Sequence, residues 1–339
     1  MIMKNSKPLV SVIIPTFNRA NLLIPAIQSV LNQTIEDFEL IVVDDASTDD
    51  TQQKVAGIDD SRLRYILQEK NLGECGTRNT GLGAAQGQYI AFLDSDDEWL
   101  PNKLEKQLGV FRSAPDEVGV VYSWLQVIND QGKVVRMRKP NIHGDVKDYL
   151  IYKNLIGTPS TVMIKQECIE PGLQFDTNLR CCGDWDMWLQ ISKNYRFEVI
   201  PEPLTLYRDH DEDARGSTNH AMVTEGHLVF LDKHHQGIKE FYRQPSTLDN
   251  KHKSLYLFEI GRRLMCHGHE IDRVDAINIG KRYLYLAALA NIFNLYLWIN
   301  YFVACCGSVF YTSSIQVENR FRSRLGVIRR KVTFSYSLQ

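Results

Sequence analysis

Four short, mostly apolar runs mark the first third of the chain, and a proline or a polar residue follows each of them. The runs cover residues 10–14, 38–43, 63–67 and 89–93. Side chains that are apolar at successive positions are typical of strands buried on both faces, which is the environment of a parallel sheet. The pattern therefore predicts four parallel strands.

Apolar residues at helical spacing fill the stretches between these runs. The predicted helices cover residues 23–31, 52–55, 78–85 and 101–112. We expect Ser47 and Thr48 to cap the second helix and Gly87 to end the third. Strands that alternate with helices build an open α/β sheet, which binds its ligands at the carboxyl ends of the strands.

The pattern changes in the second half of the chain. Runs over residues 118–128 and 134–138 flank Asn129-Asp130-Gln131-Gly132, which predicts an antiparallel hairpin. The elements expected after the hairpin are a helix over residues 184–193 and strands over 197–200 and 204–208. From residue 218 onward the spacing is mostly helical, so we expect a helical C-terminal appendage.

Composition and charge bound the partners and the compartment. A chain of 339 residues, 44% of them hydrophobic, can bury one large core and still carry an appendage. A formal net charge of −2 gives no global attraction to nucleic acid, so we expect no nucleic-acid partner. The seven cysteines form no C-x-x-C motif, which favours a reducing compartment over a disulfide framework or a zinc site. The N-terminus lacks the apolar segment of a signal peptide, so we expect a cytoplasmic protein.

Polar residues cluster where the four predicted strands end. The clusters are Pro15-Thr16-Phe17-Asn18-Arg19, Asp44-Asp45, the loop of residues 71–79 and Asp94-Ser95-Asp96-Asp97. Carboxylates grouped at one strand end are oxygen ligands of the kind that bind Mg²⁺ or Mn²⁺. Alternatively, acidic residues just ahead of a helix can do no more than interact favourably with the helix dipole. Asp45 and Arg78, at neighbouring strand ends, favour the ligand site.

Five motifs taken together carry a resemblance to a known family. In order they are VSVIIPTFNR, VVDDAST, NLG followed by RNTG, YIAFLDSDD and GDWDMW. The set, which lies within residues 8–210, resembles the inverting family 2 glycosyltransferases. The resemblance implies the GT-A fold, a Rossmann-like and mostly parallel sheet flanked by helices. It also implies transfer of a sugar from a nucleotide-sugar donor.

Carried over position by position, the resemblance implies a donor site at the strand ends. Asp45 matches the aspartate that accepts a hydrogen bond from the N3–H of uracil, which implies a UDP-sugar. Arg78 would pair with phosphate or stack on the nucleotide. The implied donor-binding residues are Pro15, Thr16, Asn18, Arg19, Asp45, Arg78, Asp94, Ser95 and Asp96.

The resemblance also implies a divalent metal. Asp94 and Asp96 match the D-x-D motif, Asp97 extends it, and His210 matches a histidine that follows the last strand in many relatives. The implied ligands of Mn²⁺ or Mg²⁺ are Asp96, Asp97 and His210. The division of metal and ribose contacts among the three aspartates stays open.

Asp184 is the general base that the resemblance implies. It is the first aspartate of GDWDMW, where the family carries E-D-x-D/E, and it would take the proton of the acceptor hydroxyl. Gly183 replaces the usual acidic residue, and Asp186 is the competing candidate. For Trp99 and Trp185, stacking on a sugar and packing in the core are both open.

The C-terminal segment has a chemistry of its own. Residues 283–317 contain no Asp, Glu, Lys or Arg, and a basic stretch with interleaved apolar residues follows over 320–331. Such segments suit an anionic membrane surface, so we expect peripheral contact with the inner face of the cell membrane through residues 283–335. The alternative is a helical appendage that packs on the catalytic domain.

These expectations combine into one domain plan and one reaction. Residues 1–215 would form the catalytic domain, with a nucleotide-sugar half at 8–115 and an acceptor half at 116–215, and 216–339 the appendage. The expected reaction moves a sugar from a UDP-sugar to a saccharide or lipid-linked saccharide in bacterial surface polysaccharide synthesis. A sugar-phosphate nucleotidyltransferase would need a glycine-rich basic loop after the first strand, which PTFNRAN does not supply. The remaining alternative is a non-catalytic protein that binds sugar nucleotides.

Overall fold

The strands that the apolar runs predict are present, and they form one half of a nine-stranded sheet within the described residues. In the computed structural model the strands are β1 Val10–Thr16, β2 Phe38–Asp44, β3 Leu63–Leu67, β4 Tyr89–Phe92, β5 Glu98–Trp99, β6 Val118–Ile128, β7 Val134–Arg138, β8 Val162–Lys165 and β9 Arg196–Arg208. The structure describes residues 7–151, 153–169, 172–209, 220–234, 250–270, 273–290 and 295–305.

Helices connect the strands and make up the C-terminal part. They are α1 Ala20–Leu31, α2 Thr51–Ala56, α3 Gly73–Ala84, α4 Lys103–Ser113, α5 Lys147–Leu150, α6 Gly183–Ile191, α7 His220–Lys233, α8 Asn250–Glu270, α9 Val274–Ala290 and α10 Leu295–Cys305. The chain separates into two compact units, residues 1–215 and 216–339. All nine strands of the described residues belong to the first unit.

The sheet is parallel on one side and mixed on the other. β3, β2, β1 and β4 lie side by side in that order and run parallel. β8 pairs antiparallel with β4, and the order continues through β6, β9 and β5. The carboxyl ends of β1, β2 and β4 therefore meet at the same edge of the sheet. This confirms the predicted mostly parallel α/β sheet and places the polar strand ends together.

Burial explains the strand pattern. All seven residues of β1 and of β2 are buried, and α1 packs Leu23, Ile27 and Val30 into the same core. β3 is only half-buried, because it is the edge strand of the sheet. The prediction that all four runs are buried on both faces is therefore wrong for β3.

The third helix begins at Gly73 rather than at residue 78. The carboxylate of Asp45 accepts the backbone N–H groups of Leu72 and Gly73, so it satisfies donors that an isolated helix start would leave unpaired. A residue far away in the sequence therefore sets this helix start.

The second helix begins at Thr51 and follows Asp50, with no side-chain cap. Ser47 and Thr48, which were expected to cap it, instead bond to Asn18 in the loop after β1. These two residues join two loops rather than starting a helix.

The second half of the sheet matches the predicted hairpin and corrects the predicted strands. β6 and β7 pair antiparallel across residues 129–132. β9 is one strand where two were expected, because the break at Pro201 and Pro203 leaves the backbone extended beside β6. Register shifts next to Trp124 absorb the irregularity.

In the second unit, α8 and α9 pack at a close crossing. A Cβ added to Gly261 would lie 2.8 Å from the Gly280 carbonyl oxygen, and one added to Gly280 equally close to the Gly261 carbonyl oxygen. Leu257 and Leu284 are fully buried in the apolar cluster of these helices. Within the described ranges, no helix combines the length and the apolar character needed to cross a membrane.

Candidate active site

The loops after β1 and β2 are joined by Asn18. Its backbone has a positive φ of 50°, its N–H donates to the Ser47 hydroxyl at 2.8 Å, and its side-chain oxygen accepts the N–H of Thr48 at 2.8 Å. Arg19 follows directly. The sequence placed Asn18 and Arg19 at the donor, and the structure places both at the strand-end edge.

Asp45 lies at the end of β2 beside the start of α3. Its two carboxylate oxygens accept N–H groups from Leu72 at 2.6 Å and Gly73 at 2.9 Å. Its own N–H donates to the carbonyl of Thr16, which brings Pro15 and Thr16, the last two residues of β1, alongside. The buried Thr16 hydroxyl has no hydrogen-bond partner among the described residues, so a polar donor or acceptor is available at the end of β1.

Arg78 links the third helix to the end of β4. Its Nη2 donates to Asp94 Oδ1 at 2.6 Å and to Glu74 Oε1 at 2.5 Å, and the guanidinium lies 5.5 Å from the ring of Phe175. Burial acts to lower the pKa of Arg78, but Glu74 and Asp94 outweigh it and hold that pKa above its ordinary value. Arg78 is therefore a fixed positive charge beside the first aspartate of the D-x-D motif.

The three aspartates after β4 have different surroundings. Asp96 accepts a 2.6 Å bond from Arg19 Nη1, and its side chain is 16% exposed. Asp97 is buried and accepts bonds from the Ser160 hydroxyl at 2.6 Å and the Arg208 N–H at 3.1 Å. Burial, together with the charges of Asp96 and Asp94, raises the pKa of Asp97 well above its usual range.

Asp184 occupies the first turn of α6. It is half-buried, and its Oδ2 accepts a 2.7 Å bond from Asn154 Nδ2. Burial raises the pKa of Asp184 to about 6, against the lowering effect of Arg78. Asp186, by contrast, is completely buried and accepts a bond from Gln190 within the same helix. Of the two candidates for the base, only Asp184 has solvent access.

The glycine that replaces the usual acidic residue is explained by packing. A Cβ at Gly183 would lie 2.3 Å from the Cys75 sulfur, so the thiol fills the space that a side chain would need. The residue before it, Cys182, has a positive φ of 68° and sets the start of α6. Cys75 and Gly183 therefore fit each other, and Asp184 keeps its place at the helix start.

A segment that the sequence analysis did not single out joins the two sets of carboxylates. Asn154 bonds to Asp184, and the Thr158 hydroxyl donates to Asp94 Oδ2 at 2.9 Å. Ser160 donates its hydroxyl to Asp97, and the same oxygen accepts the Asp94 N–H at 3.0 Å. We call residues 154–160 the bridging segment. Its polar residues just before β8 were the only sequence signal, and their partners are too distant in the chain to be predicted.

Comparisons with known proteins bear on this arrangement. The family model described as Glycosyl transferase family 2 matches residues 11–170. The putative colanic acid biosynthesis glycosyl transferase WcaA of Escherichia coli K12 is 37% identical over 68% of this chain and 83% of its own length. The chain belongs to glycosyltransferase family 2.

A second relative of this glycosyltransferase carries a more specific name. It is the UDP-Glc:alpha-D-GlcNAc-diphosphoundecaprenol beta-1,3-glucosyltransferase WfgD of Escherichia coli. The identity is 34%, over 57% of this chain and 73% of that protein. The relatives of this glycosyltransferase therefore include proteins of bacterial polysaccharide biosynthesis.

Solved structures share the fold of this glycosyltransferase at low identity. TarS 1–349 of S. aureus in complex with UDP-GlcNAc superposes with a TM-score of 0.63 at 19% identity, covering 94% of this chain and 92% of that chain. The mannosyltransferase PcManGT of Pyrobaculum calidifontis, in complex with GDP-Man and Mn²⁺, gives 0.51 at 20% identity, covering 94% and 81%. The implied GT-A fold is confirmed.

The aspartates of this family 2 glycosyltransferase fit a divalent cation. Burial is the main cause of the raised pKa of Asp97, and the charges of Asp96 and Asp94 add repulsion that a cation would relieve. Among the residues that the structure covers, no group of three His, Cys, Asp or Glu side chains is placed to hold a metal alone. Mg²⁺ is commonly bound by one or two carboxylates together with substrate phosphates, so this donor set suits an ion that binds with the nucleotide.

The remaining predicted residues are placed as follows. Ser95 is buried beside the aspartates, whereas His210 lies outside the described residues. Trp99 and Trp185 are buried and donate their indole N–H groups to the carbonyls of Ser160 and Leu150. Their surfaces are covered, which favours the packing alternative over stacking on a sugar.

Proposed function

We propose that this family 2 glycosyltransferase transfers a sugar, with inversion, from a UDP-sugar to a hydroxyl of a saccharide or lipid-linked saccharide. The bridging segment carries the proposal, since it contacts the aspartates at the end of β4 and Asp184 at the start of α6. One short segment thus holds the proposed donor side and the proposed base in a fixed relation.

On the donor side, each predicted residue has a role in the proposal. Asp45 presents its remaining acceptor capacity to the N3–H of uracil, beside the unpartnered Thr16 hydroxyl. Arg78 and Arg19 supply positive charge near the diphosphate, each oriented by a carboxylate. The relative WfgD, 34% identical over the aligned region, is named for a UDP-Glc donor, which supports a UDP-sugar here.

On the acceptor side, Asp184 takes the proton of the attacking hydroxyl. A carboxylate with a pKa of about 6 is mostly ionised at neutral pH, yet it is more basic than an ordinary aspartate. The oxygen that loses its proton attacks the anomeric carbon from the face opposite UDP. The new glycosidic bond forms as the bond to the diphosphate breaks, which inverts the anomeric centre.

A divalent ion, Mn²⁺ or Mg²⁺, would supply charge neutralisation for the departing diphosphate. We assign it first to Asp96, because Asp97 is buried and Asp94 is held by Arg78 and Thr158. Asp94 would then serve to orient Arg78. His210 stays a proposed ligand from the sequence alone.

The acceptor class and the place of work are proposed from the relatives and the C-terminal sequence. WfgD is named for an acceptor with a diphosphoundecaprenol group, which is a membrane lipid. The apolar and basic stretch of residues 283–335 suits the inner face of the cell membrane, where such an acceptor would be met.

The test is a panel of nucleotide sugars with Mn²⁺, in which release of the free nucleotide is measured for the full chain. We expect slow release of UDP from one UDP-sugar, because water can replace the acceptor hydroxyl. Release only from a non-UDP donor would correct the nucleotide. No release from any donor, with UDP still bound, would favour the non-catalytic alternative, and pyrophosphate release from a sugar phosphate and UTP would indicate a nucleotidyltransferase.

A further inference from the structure

The carboxylate of Asp184 accepts a side-chain hydrogen bond that the sequence did not predict. Asn154 Nδ2 lies 2.7 Å from Asp184 Oδ2, on a segment far from α6 in the sequence. The other carboxylate at the start of the same helix, Asp186, is turned inward to Gln190. The amide of Asn154 therefore contacts the accessible acid and not its neighbour.

The orientation of the Asn154 amide is determined by its own loop. Its nitrogen also donates to the Gly157 carbonyl at 3.1 Å, and its oxygen accepts the Gly157 N–H at 3.3 Å. If the amide were flipped, its oxygen would face a carbonyl and a carboxylate, and its nitrogen would face an N–H. One orientation therefore satisfies all three contacts, and it directs an N–H at Asp184.

We propose that Asn154 is a positioning residue for Asp184, whose side-chain amide holds the carboxylate in the orientation from which it takes the acceptor proton. The inference rests on the proposed role of Asp184 as the base. It assigns the base a fixed side-chain donor from the bridging segment, which acts on the carboxylate together with the backbone N–H of Trp185 at the start of α6. Proton transfer at hydrogen-bond distance requires that the carboxylate be held in one rotamer.

Other charged and titratable groups face Asp184, and they are the background against which Asn154 acts. From α3, Arg78 favours the ionised form and Glu74 disfavours it. The thiols of Cys75 and Cys181 also lie within electrostatic range. Burial raises the pKa of Cys75 to about 12, so that thiol stays neutral at ordinary pH. A substitution at Asn154 leaves all of these groups in place.

The experiment follows the side-chain carboxyl carbon of Asp184 by NMR in the full chain labelled at aspartate, with the signal assigned by Asp184→Asn. We compare Asn154→Ala with Gln190→Ala, which removes the matching amide from Asp186. Loss of a hydrogen bond to the ionised form should raise the pKa of Asp184 by about half a unit to one unit in Asn154→Ala. Gln190→Ala should leave it unchanged.

The acid limb of UDP release from the UDP-sugar chosen by the donor panel should move to higher pH in Asn154→Ala by the same amount, with the KM for that donor unchanged. An unmoved Asp184 titration overturns the inference alone. A moved titration with an unmoved acid limb overturns the proposed base, and with it the catalytic role of Asn154. Should Asn154→Ala fail to fold, the isosteric Asn154→Asp places a second carboxylate against Asp184 and should raise the pKa of Asp184. An unchanged pKa of Asp184 in Asn154→Asp would also overturn the inference.

Discussion

At the scale of the residue, the site depends on how each acid is surrounded. Asp97 is buried among donors, Asp96 is paired with Arg19 near the surface, and Asp184 is half-buried beside a neutral amide. Three carboxylates of one type thereby differ in their access, and burial raises the pKa of Asp97 and of Asp184. The sequence predicted which residues matter, but their surroundings come from contacts across the fold.

The pH dependence of turnover should report Asp184. Because burial raises its pKa to about 6, the fraction in the ionised, proton-accepting form rises through that pH. We expect kcat/KM for UDP release to be lost as the pH falls through about 6 and to reach a plateau above it, because kcat/KM reports the free enzyme. A profile of kcat/KM against pH checks this, and a flat profile across that region would contradict it.

The fit between Gly183 and Cys75 makes a prediction about stability. Gly183→Ala forces a Cβ against the Cys75 sulfur, so we expect a loss of about 1–3 kcal/mol in the free energy of unfolding. Urea denaturation measures it. The double variant Cys75→Ala/Gly183→Ala should recover part of the loss, and strict additivity of the two single changes would show that the two side chains are not coupled.

At the scale of the element, the sequence predicts those strands and helices whose position is set by the local pattern of apolar residues. The apolar runs predicted β1 and β2 correctly, because every residue of these two strands is buried. The start of α3 was missed because its capping acceptor, Asp45, comes from another strand end. β9 was divided in the prediction because Pro201 and Pro203 break the apolar pattern without breaking the strand.

Asp45 should therefore act on a helix as well as on the nucleotide. Asp45→Ala removes the acceptor for two N–H groups at the start of α3, so we expect about 1 kcal/mol of destabilisation. Binding of UDP, followed by calorimetry, should weaken as well if Asp45 reads the base. Asp59→Ala, at an exposed position, is the matched control and should change neither quantity.

At the scale of the whole molecule, the bridging segment brings the halves of the site together. It lies within residues 116–215, the half that the sequence assigned to the acceptor, yet Thr158 and Ser160 contact the aspartates after β4. The motifs pointed to both sides of the site. They could not predict how the sides are joined, because those hydrogen bonds connect residues far apart in the chain.

Membrane contact through residues 283–335 is tested by flotation with vesicles that contain anionic phospholipid. We expect the full chain to float with these vesicles and not with neutral ones, because basic residues follow the apolar stretch. A chain that ends after residue 305 keeps the packed helices α8 and α9 but lacks the basic residues, so it should lose the binding. Equal flotation of both chains would place the contact elsewhere.

The central claim, that Asp184 is the base of a UDP-sugar transferase, is tested most directly by replacing each acid of GDWDMW in turn. For Asp184→Asn we expect kcat for UDP release to fall by about 10²–10⁴-fold while UDP binds as in the parent chain. Asp186→Asn, which changes a buried acid of the same helix, should retain turnover if it folds. Turnover that survives in Asp184→Asn, or is lost only in a folded Asp186→Asn, would contradict the account.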